Sequence, residues 1–252
     1  MGALHAGHES LVARAREECA AVVASIYVNP LQFGPSDDFA RYPRALDDDA
    51  ALLERHRIDV LFAPSDDEMY PSGSQTHVEP GPLAQHLEGE RRPGHFQGVA
   101  TVVLKLLNLV APARAYFGQK DAQQLAVVRR LVTDLDLAVT IVGCPTVRER
   151  DGLAVSSRNR YLGDAERRDA VGLSRALTFV VEALERGATD VDAVLRGAAV
   201  ELGALRPDYL AVVDPGAFVP LEKAPPASEL LAVGAAWSGA TRLIDNKPLH
   251  TT

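Results

Sequence analysis

The sequence has few cysteines, no long apolar run and no excess of positive charge. Cys19 and Cys144 are its only cysteines, too few for a disulfide framework, so a reducing cytoplasm is the expected location. Lys105 and Asn108 interrupt the longest apolar stretch, so no segment reaches the about 18 apolar residues of a membrane span. The formal net charge of −8 argues against a nucleic-acid-binding protein. The sequence therefore predicts a cytosolic protein without membrane or nucleic-acid partners.

The composition and the pattern of the first part of the chain are typical of an α/β domain. Apolar residues make up 47% of the 252 residues and charged residues 24%, close to the averages for folded globular proteins. Up to residue 145, short β-rich runs alternate with amphipathic helices, which predicts a parallel sheet. The expected strands are residues 22–28, 58–63, 113–117 and 138–142, with a short one at 76–78; the expected helices are residues 8–21, 47–57, 99–110 and 121–134.

The pattern changes after residue 145. Residues 146–156 resemble a hairpin with its turn at Asp151-Gly152. Two helices follow, at residues 164–186 and 191–205, with strand-like runs at 209–213, 230–236 and 241–244. We therefore predict a Rossmann-like domain over residues 1–145 and a smaller α+β domain over residues 146–252.

Two histidines, His5 and His8, frame the predicted start of the first helix. Unsatisfied N–H groups at a helix N-terminus attract phosphate, and Gly7 permits close approach of the backbone. Two imidazoles there can donate hydrogen bonds to phosphoryl oxygens as negative charge develops. A pair of surface histidines beside a helix cap is the simpler alternative. A zinc pair is disfavoured because no third ligand has a suitable spacing.

A second polar group follows the strand that ends near Phe117. In doubly wound folds, ligands gather at the carboxyl ends of strands. Lys120 can neutralise a phosphate there, and Gln124, one helical turn further on, can bind a hydroxyl or a carboxylate. An ordinary helix capped by Asp121, with a solvated lysine, is the alternative.

Hydroxyls and a guanidinium follow one another at Ser156, Ser157 and Arg158, after the predicted hairpin. Arginine forms bidentate, charge-assisted bonds to phosphoryl oxygens, so this loop can hold a triphosphate. A polar loop that caps the next helix is the alternative. Gln32, beside Phe33, suits recognition of a small hydroxy acid, and a plain loop is again the alternative.

Short motifs follow one another along the chain in a characteristic order. They are residues 1–8 (MGALHAGH), 28–34 (VNPLQFG), 41–44 (RYPR), 93–99 (PGHFQGV), 117–124 (FGQKDAQQ), 156–162 (SSRNRYL) and 241–246 (TRLIDN). Together they closely resemble the pantothenate synthetase (pantoate–β-alanine ligase) family. The resemblance covers essentially the whole sequence.

The resemblance implies a HIGH-type nucleotidyltransferase domain and a smaller C-terminal domain that closes over the active site. It also implies a two-step reaction. Pantoate carboxylate attacks the α-phosphate of ATP to give pantoyl adenylate and pyrophosphate, and the amine of β-alanine then displaces AMP to give pantothenate. Such a reaction needs fixed cations and donors around the phosphates. Mg²⁺ would be bound mainly through ATP phosphates, and a homodimer is expected.

The resemblance further assigns residues to ATP and to pantoate. By similarity, His5 and His8 contact the ATP phosphates and stabilise the adenylation transition state, and Gln32 and Gln124 bind pantoate. The other ATP-binding residues that it implies are Met1, Gly118, Lys120, Asp121, Val147, Ser156, Ser157 and Arg158, of which Lys120 and the Ser-Ser-Arg run are also expected to act in catalysis.

Five further residues lie on stretches that match the family. Asn29, Arg92 and His95 have less defined roles there. Asp48 and Asp49 match acids near the active site, although acids in the first turn of a helix also stabilise the helix dipole.

The sequence departs from the family at its start. The family has a central strand and a Pro-Thr pair before the methionine that is residue 1 here, so we expect the functional protein to extend upstream. Loss of that strand would leave two neighbouring strands without ladder partners.

Two other functions remain open. Another nucleotidyltransferase of the same superfamily would need His5 and His8 but not the pair of Gln32 and Gln124; a truncated, catalytically impaired nucleotide-binding fragment is the second.

Overall fold

The fold is that of a computed structural model, which describes residues 2–34, 39 and 42–251. The chain divides into two compact units. The first consists of Met1–Gln119 and Gln123–Pro145, and the second of Lys120–Ala122 and Thr146–Thr252. Each unit has a hydrophobic core of its own. Within the described residues, no helix is long and apolar enough to cross a membrane.

The strands of the first unit form two parallel pairs. β1 (Val23–Ser25) pairs with β2 (Val60–Phe62), and β3 (Arg114–Gly118) pairs with β4 (Thr140–Cys144). Over the described part of the chain, no ladder joins one pair to the other. The predicted parallel α/β organisation is therefore confirmed, but it takes the form of two ribbons.

Helices connect and cover these ribbons. Six buried apolar residues along α5 make it the centre of one core together with α6; they are Phe96, Val99, Ala100, Val102, Val103 and Leu107. The helices are α1 (Ala6–Glu18), α2 (Leu46–Arg55), α3 (Asp66–Met69), α4 (Glu88–Arg91), α5 (His95–Val110) and α6 (Ala122–Asp134).

Helix α1 contacts both ribbons, which fixes the direction of its N-terminus. Val12 packs with Ala24 of β1 in a small apolar cluster. On the other ribbon, Arg14 donates to the carbonyl of Gly143 at 3.1 Å, and the carboxylate of Glu18 accepts from Tyr116 Oη at 2.9 Å. Hydrogen bonds from Arg14 and Tyr116 to Glu18 keep the pKa of this carboxyl below its usual value.

The second unit is built on an antiparallel sheet in the order β5-β6-β7. These strands are β5 (Arg206–Val213), β6 (Glu229–Ser238) and β7 (Thr241–His250). The helices α7 (Asp164–Asp169), α8 (Val171–Glu185) and α9 (Val191–Glu201) accompany it, and Leu177 and Val180 of α8 are fully buried in one continuous core. The predicted α+β character of this part is confirmed.

Several element boundaries differ from those expected. The strand expected at residues 76–78 is wrong: Val78 N–H donates to Thr101 Oγ1 at 2.9 Å rather than to a neighbouring strand. β7 runs six residues past its expected end at Ile244, through Asp245 and Asn246. These two polar residues hid the strand because the apolar pattern ends there, yet both are buried and hydrogen-bonded.

Candidate functional site

The first turn of α1 brings His5 and His8 together. His5 is the N-cap residue, and its Nδ1 accepts from Gly7 N–H at 3.2 Å. In a neutral ring this leaves the proton on Nε2, which can donate to a ligand. The two imidazoles stack with 4.0 Å between ring centroids. A Cβ on residue 7 would lie 3.0 Å from the His5 ring, so Gly7 allows this packing. The positive end of α1 thus carries two adjacent imidazoles.

A buried carboxylate holds the chain that enters this turn. Asp49, in the first turn of α2, is 3% exposed and accepts from the N–H groups of Ala3 at 2.8 Å and Leu4 at 2.6 Å. Asp48 is exposed beside it. Asp49 therefore anchors the residues just before His5, whereas Asp48 has the ordinary place of an acid in a first helical turn.

Gln32 ends a short 3-10 turn that is fixed by a buried asparagine. Asn29 is 2% exposed, and its Nδ2 donates to the Gly98 carbonyl at 3.0 Å and to Gln32 Oε1 at 3.3 Å. Tyr70 Oη donates to Asn29 Oδ1 at 2.9 Å, and burial raises the pKa of Tyr70 to about 12. The hydroxyl therefore stays protonated at neutral pH and keeps the Asn29 amide in one orientation.

The N-terminal end of α5 holds the backbone of the same turn. His95 Nδ1 lies 2.8 Å from the carbonyl oxygen of Gln32, and Arg92 Nη1 lies 3.1 Å from His95 Nε2. These distances fit a neutral His95 that donates from Nδ1 and accepts at Nε2. A Cβ on Gly98 would lie 2.2 Å from the Leu31 carbonyl, so α5 and the turn can approach this closely only with glycine there. Asn29, Arg92 and His95 thus all contact the Gln32 turn.

The two glutamines at the start of α6 differ in their surroundings. Gln123 is 4% exposed; it donates to the carbonyls of Leu83 and His86 and accepts from Glu88 N–H. Gln124 is half-buried. Gln123 therefore has a structural role, and Gln124 is the more exposed of the two glutamines.

The segment around Lys120 follows the carboxyl end of β3. Gly118 is the last residue of the strand, and a Cβ there would meet no atom within 4 Å. Lys120 lies in a 3-10 turn over Gln119–Asp121, where Asp121 is exposed. The Lys120 carbonyl accepts from Asn246 Nδ2 at 2.9 Å, so a strand of the second unit fixes this backbone.

The hairpin expected at residues 146–156 is present as a short antiparallel bridge. Arg148 pairs with Ala154, and Val155 N–H donates to the Val147 carbonyl at 2.9 Å. Gly152 has φ +94° in the turn, a conformation that favours glycine. Val147 therefore stands on the first arm of the hairpin, and the second arm leads directly to Ser156.

The Ser-Ser-Arg run begins a second 3-10 turn, over Ser157–Tyr161. Ser156 is its N-cap, and its Oγ accepts from Arg158 N–H at 3.3 Å. Ser157 is buried, and Asn159 Nδ2 donates to the Ala154 carbonyl at 3.0 Å. The run is thus bound both to itself and to the hairpin.

An ion pair that the sequence analysis did not identify lies behind this hairpin. Arg148 donates to both carboxylate oxygens of Asp245 in β7, at 2.7 and 2.9 Å. Both residues fall in regions singled out above, the hairpin and the closing TRLIDN motif. No pattern in the sequence signalled this pair, because the expected strand ended at Ile244, before Asp245, and a buried acid is recognised only once its partner is known.

Within each unit, the structure brings several expected residues together. His5 stacks on His8, Gln32 contacts Asn29 and His95, and Ser156 contacts the backbone of Arg158. Met1 and Arg41 lie outside the described residues. Among the residues that are described, no group of three histidines, cysteines or acids could hold a metal ion.

Comparisons with known proteins point to one family. A family model described as pantoate-beta-alanine ligase matches residues 1–248. The pantothenate synthetase of Acidobacterium capsulatum is 55% identical over 255 residues, which cover 100% of this chain and 85% of that protein. The chain spans about half (49%) of the bifunctional pantoate ligase/cytidylate kinase of Thermosynechococcus vestitus.

Solved structures agree with this result. The crystal structure of the pantothenate synthetase from Thermus thermophilus matches with a TM-score of 0.93 and 51% identity, over 98% of this chain and 90% of that one. A pantoate-beta-alanine ligase from Francisella tularensis, complexed with beta-gamma ATP and beta-alanine, matches with a TM-score of 0.80 and 34% identity, over 98% and 86% of the two chains.

Proposed function

The chain belongs to the pantoate-beta-alanine ligase family, and from that membership we propose that it joins pantoate to β-alanine through a pantoyl-adenylate intermediate. ATP is the co-substrate and is cleaved to AMP and pyrophosphate. The observation that carries the proposal is the stacked pair of His5 and His8 at the N-terminus of α1. Imidazole donors and helix N–H groups at one point suit a phosphate group that gains negative charge during reaction.

In the first step, a carboxylate oxygen of pantoate attacks the α-phosphorus of ATP. A new P–O bond forms, and the bond between the α-phosphorus and the oxygen that bridges to the β-phosphate breaks. Pyrophosphate leaves with the electron pair of that bond. His5 Nε2–H and His8 donate to phosphoryl oxygens as their charge increases. This role is supported by the Gly7-to-Nδ1 hydrogen bond, which holds the His5 ring and its tautomer.

Cations and hydroxyls of the second unit hold the triphosphate. We assign this role to Lys120, Ser156, Ser157 and Arg158, because ammonium and guanidinium groups neutralise phosphate charge and hydroxyls donate to it. Gly118, Asp121 and Val147 contact the rest of the nucleotide. Support comes from the hydrogen bonds that fix the Lys120 backbone and the Ser-Ser-Arg turn.

Gln32 and Gln124 bind pantoate. Primary amides can donate to its carboxylate and accept from its hydroxyls. The network of Asn29, Tyr70 and His95 around Gln32 supports this assignment, because it orders both the amide and the backbone of that residue.

In the second step, the amine nitrogen of β-alanine attacks the carbonyl carbon of the adenylate. The C–N bond forms, the bond from carbon to the phosphate oxygen breaks, and AMP leaves with the electron pair. The nitrogen loses a proton to solvent. The same donors that held the α-phosphate stabilise AMP as the leaving group, so neither step needs a covalent enzyme intermediate.

Mg²⁺ fits this donor set as a companion of ATP. The candidate residues are cations, imidazoles, hydroxyls and amides, which suit phosphate oxygens better than a metal cage. When bound, Mg²⁺ would neutralise charge on the triphosphate. We also propose that the protein works in the cytoplasm and that it forms a homodimer. Light scattering at several protein concentrations would test the dimer.

Pantoate-dependent release of pyrophosphate tests the function. The protein is incubated with ATP, Mg²⁺ and pantoate, and AMP is measured after β-alanine is added. We expect pyrophosphate to require pantoate and AMP to require β-alanine. Turnover only with another acceptor would indicate a different nucleotidyltransferase, and ATP binding without turnover would indicate an impaired nucleotide-binding fragment.

A further inference from the structure

Two adjacent residues of β7 hold two candidate ATP-binding segments of the second unit. The side chain of Asp245 binds Arg148 on the hairpin arm that carries Val147, and the side chain of Asn246 binds the backbone of Lys120. The arm that leads to Ser156 pairs with the first arm of the same hairpin. β7 also contacts the turn that follows Ser156.

The ion pair of Arg148 and Asp245 has a geometry that fixes the hairpin. The Asp245 side chain is 3% exposed, and Arg148 approaches it with two nitrogens, one on each oxygen. Arg148 also donates to the carbonyls of Gly152 at 3.1 Å and Asn246 at 3.0 Å. One guanidinium therefore closes the hairpin turn and attaches it to the strand, a geometry that lysine cannot reproduce.

Asn246 extends the same contacts to the Lys120 segment. Its backbone N–H donates to Asp245 Oδ1 at 2.8 Å, and its Nδ2 donates to the Lys120 carbonyl at 2.9 Å. The residue is 6% exposed, so this amide has little freedom. The backbone of Lys120 is thus tied to the ion pair that holds the hairpin.

We propose that Arg148, Asp245 and Asn246 form a positioning network that orders Lys120 and residues 147–158 for the triphosphate of ATP. The inference rests on the proposed function, since that function assigns those residues to ATP. None of the three needs to touch the nucleotide. They act by limiting the displacement of cations and hydroxyls, because an error of about 1 Å at such groups can lower a rate by about 100-fold.

The chain contains a matched control in a second arginine–aspartate pair. Arg242 of β7 and Asp208 of β5 meet at 2.8 Å, and both side chains are 16% exposed. This pair is also partly buried, and its hydrogen bond from Arg242 Nε to Asp208 Oδ2 joins β7 to β5. A purely structural ion pair would therefore behave like Arg242 with Asp208.

The first experiment compares Arg148→Lys with Arg242→Lys. Both changes keep the positive charge and remove the planar guanidinium that binds the carboxylate, so we expect similar decreases in melting temperature. For Arg148→Lys we expect the KM for ATP to rise about 10-fold or more while the KM for pantoate stays within a factor of two, by analogy with the loss on altering groups that orient metal ligands. Arg242→Lys should leave both KM values unchanged. Equal ATP KM values in the two variants would overturn the proposal.

Asn246 gives a second test that changes neither charge of the ion pair. Asn246→Ala removes the amide, and Asn246→Leu keeps a side chain of similar size but removes the donor. We expect both to raise the KM for ATP about 10-fold, more than they raise the KM for pantoate. An Asn246→Leu variant with the wild-type ATP KM would show that side-chain size alone matters, and it would overturn the positioning role.

Direct ATP binding separates this inference from the proposed function. Calorimetry with ATP and Mg²⁺ measures the dissociation constant of each variant without pantoate. If the wild type binds ATP but lacks pantoate-dependent turnover, the proposed function fails while the affinities of the variants still decide the inference. A network variant that binds ATP as the Arg242→Lys control does would contradict the inference whatever the turnover.

Discussion

The two units hold their candidate ATP-binding residues with buried carboxylates that have different partners. Asp49 of the first unit accepts from the backbone N–H groups of Ala3 and Leu4. Asp245 of the second unit faces the guanidinium of Arg148. Removing one backbone contact leaves one N–H without its acceptor. Removing one member of the ion pair leaves a largely buried charge. Equal burial of two carboxylates therefore does not mean equal sensitivity to mutation.

The two units also differ in the apolar packing and in the strand lengths around these carboxylates. The first unit has separate apolar clusters around α1 and around α5, and its described strands are at most five residues long. The second unit has a large apolar cluster around α8 and two ten-residue strands. Long strands and this cluster frame the charged network of the second unit, whereas individual polar contacts hold the candidate ligand-binding turns of the first.

The largest expected effect comes from removing one proposed phosphate contact in each unit. His8→Ala and Lys120→Ala should each slow pantoate-dependent pyrophosphate release by about 100-fold or more, since each removes a donor to developing charge. The melting temperature should change little, because both side chains are only half-buried. Pyrophosphate release and thermal melting of the two variants are the measurements.

Matched controls for these variants lie on the exposed surface of the same units. His77→Ala in the first unit and Lys223→Ala in the second remove the same side-chain types at exposed positions, and they should retain wild-type rates. If only one of His8→Ala and Lys120→Ala slowed the reaction, the phosphate contact assigned to the other side chain would be wrong.

The sequence predicted the fold class and the candidate residues but not what holds those residues. Alternating apolar runs were enough to predict parallel strands and helices before residue 145. They could not reveal that Asp245 and Asn246 belong to β7, because buried polar side chains interrupt the apolar pattern of a strand. Their burial is explained only by their hydrogen-bond partners. Arg148 illustrates the limit: it is 97 residues from Asp245, and spacing along the chain carries no information about such a contact.

The next largest effect concerns stability in the second unit. Asp245→Asn should lower the free energy of unfolding by about 3 kcal/mol, because it leaves the Arg148 guanidinium without its charged partner. A double variant, Arg148→Met with Asp245→Leu, should recover much of this loss, since no unpaired charge remains. Urea unfolding provides the free energies. If the double variant were less stable than Asp245→Asn, loss of the attraction within the ion pair, and not the unpaired charge of Arg148, would account for most of the lost stability.

In the first unit the corresponding substitution should cost less. Asp49→Asn keeps the shape of the side chain and one acceptor oxygen, but its NH₂ group cannot accept from the second backbone N–H. We expect a loss of about 1–2 kcal/mol in the free energy of unfolding. Urea unfolding measured beside Asp245→Asn tests the ranking. A loss at Asp49 that matches the loss at Asp245 would remove the distinction between backbone and charged partners.

The smallest expected effect is at Tyr70, whose hydroxyl orders Asn29 beside Gln32. Tyr70→Phe should lower the free energy of unfolding by about 1 kcal/mol at pH 7, since it removes one hydrogen bond between partly buried groups. The KM for pantoate should rise a few-fold and that for ATP should not change, the reverse of the pattern expected for Asn246→Ala. Steady-state kinetics with each substrate varied in turn measures both.

The stability difference between wild type and Tyr70→Phe should also depend on pH. Burial raises the pKa of Tyr70 to about 12, above the value near 10 of an unfolded tyrosine. Between these values the unfolded chain loses the proton and the folded chain keeps it, so this contribution is complete below pH 10 and disappears as the pH rises toward 12.

The difference in free energy of unfolding between wild type and Tyr70→Phe should therefore be constant from pH 7 to 9 and narrow above pH 10. Tyr27, whose pKa burial also raises, is present in both proteins and cancels in the difference. A gap that stayed constant up to pH 11 would mean that the Tyr70 hydroxyl is open to solvent, and its ordering of Asn29 would have to be abandoned.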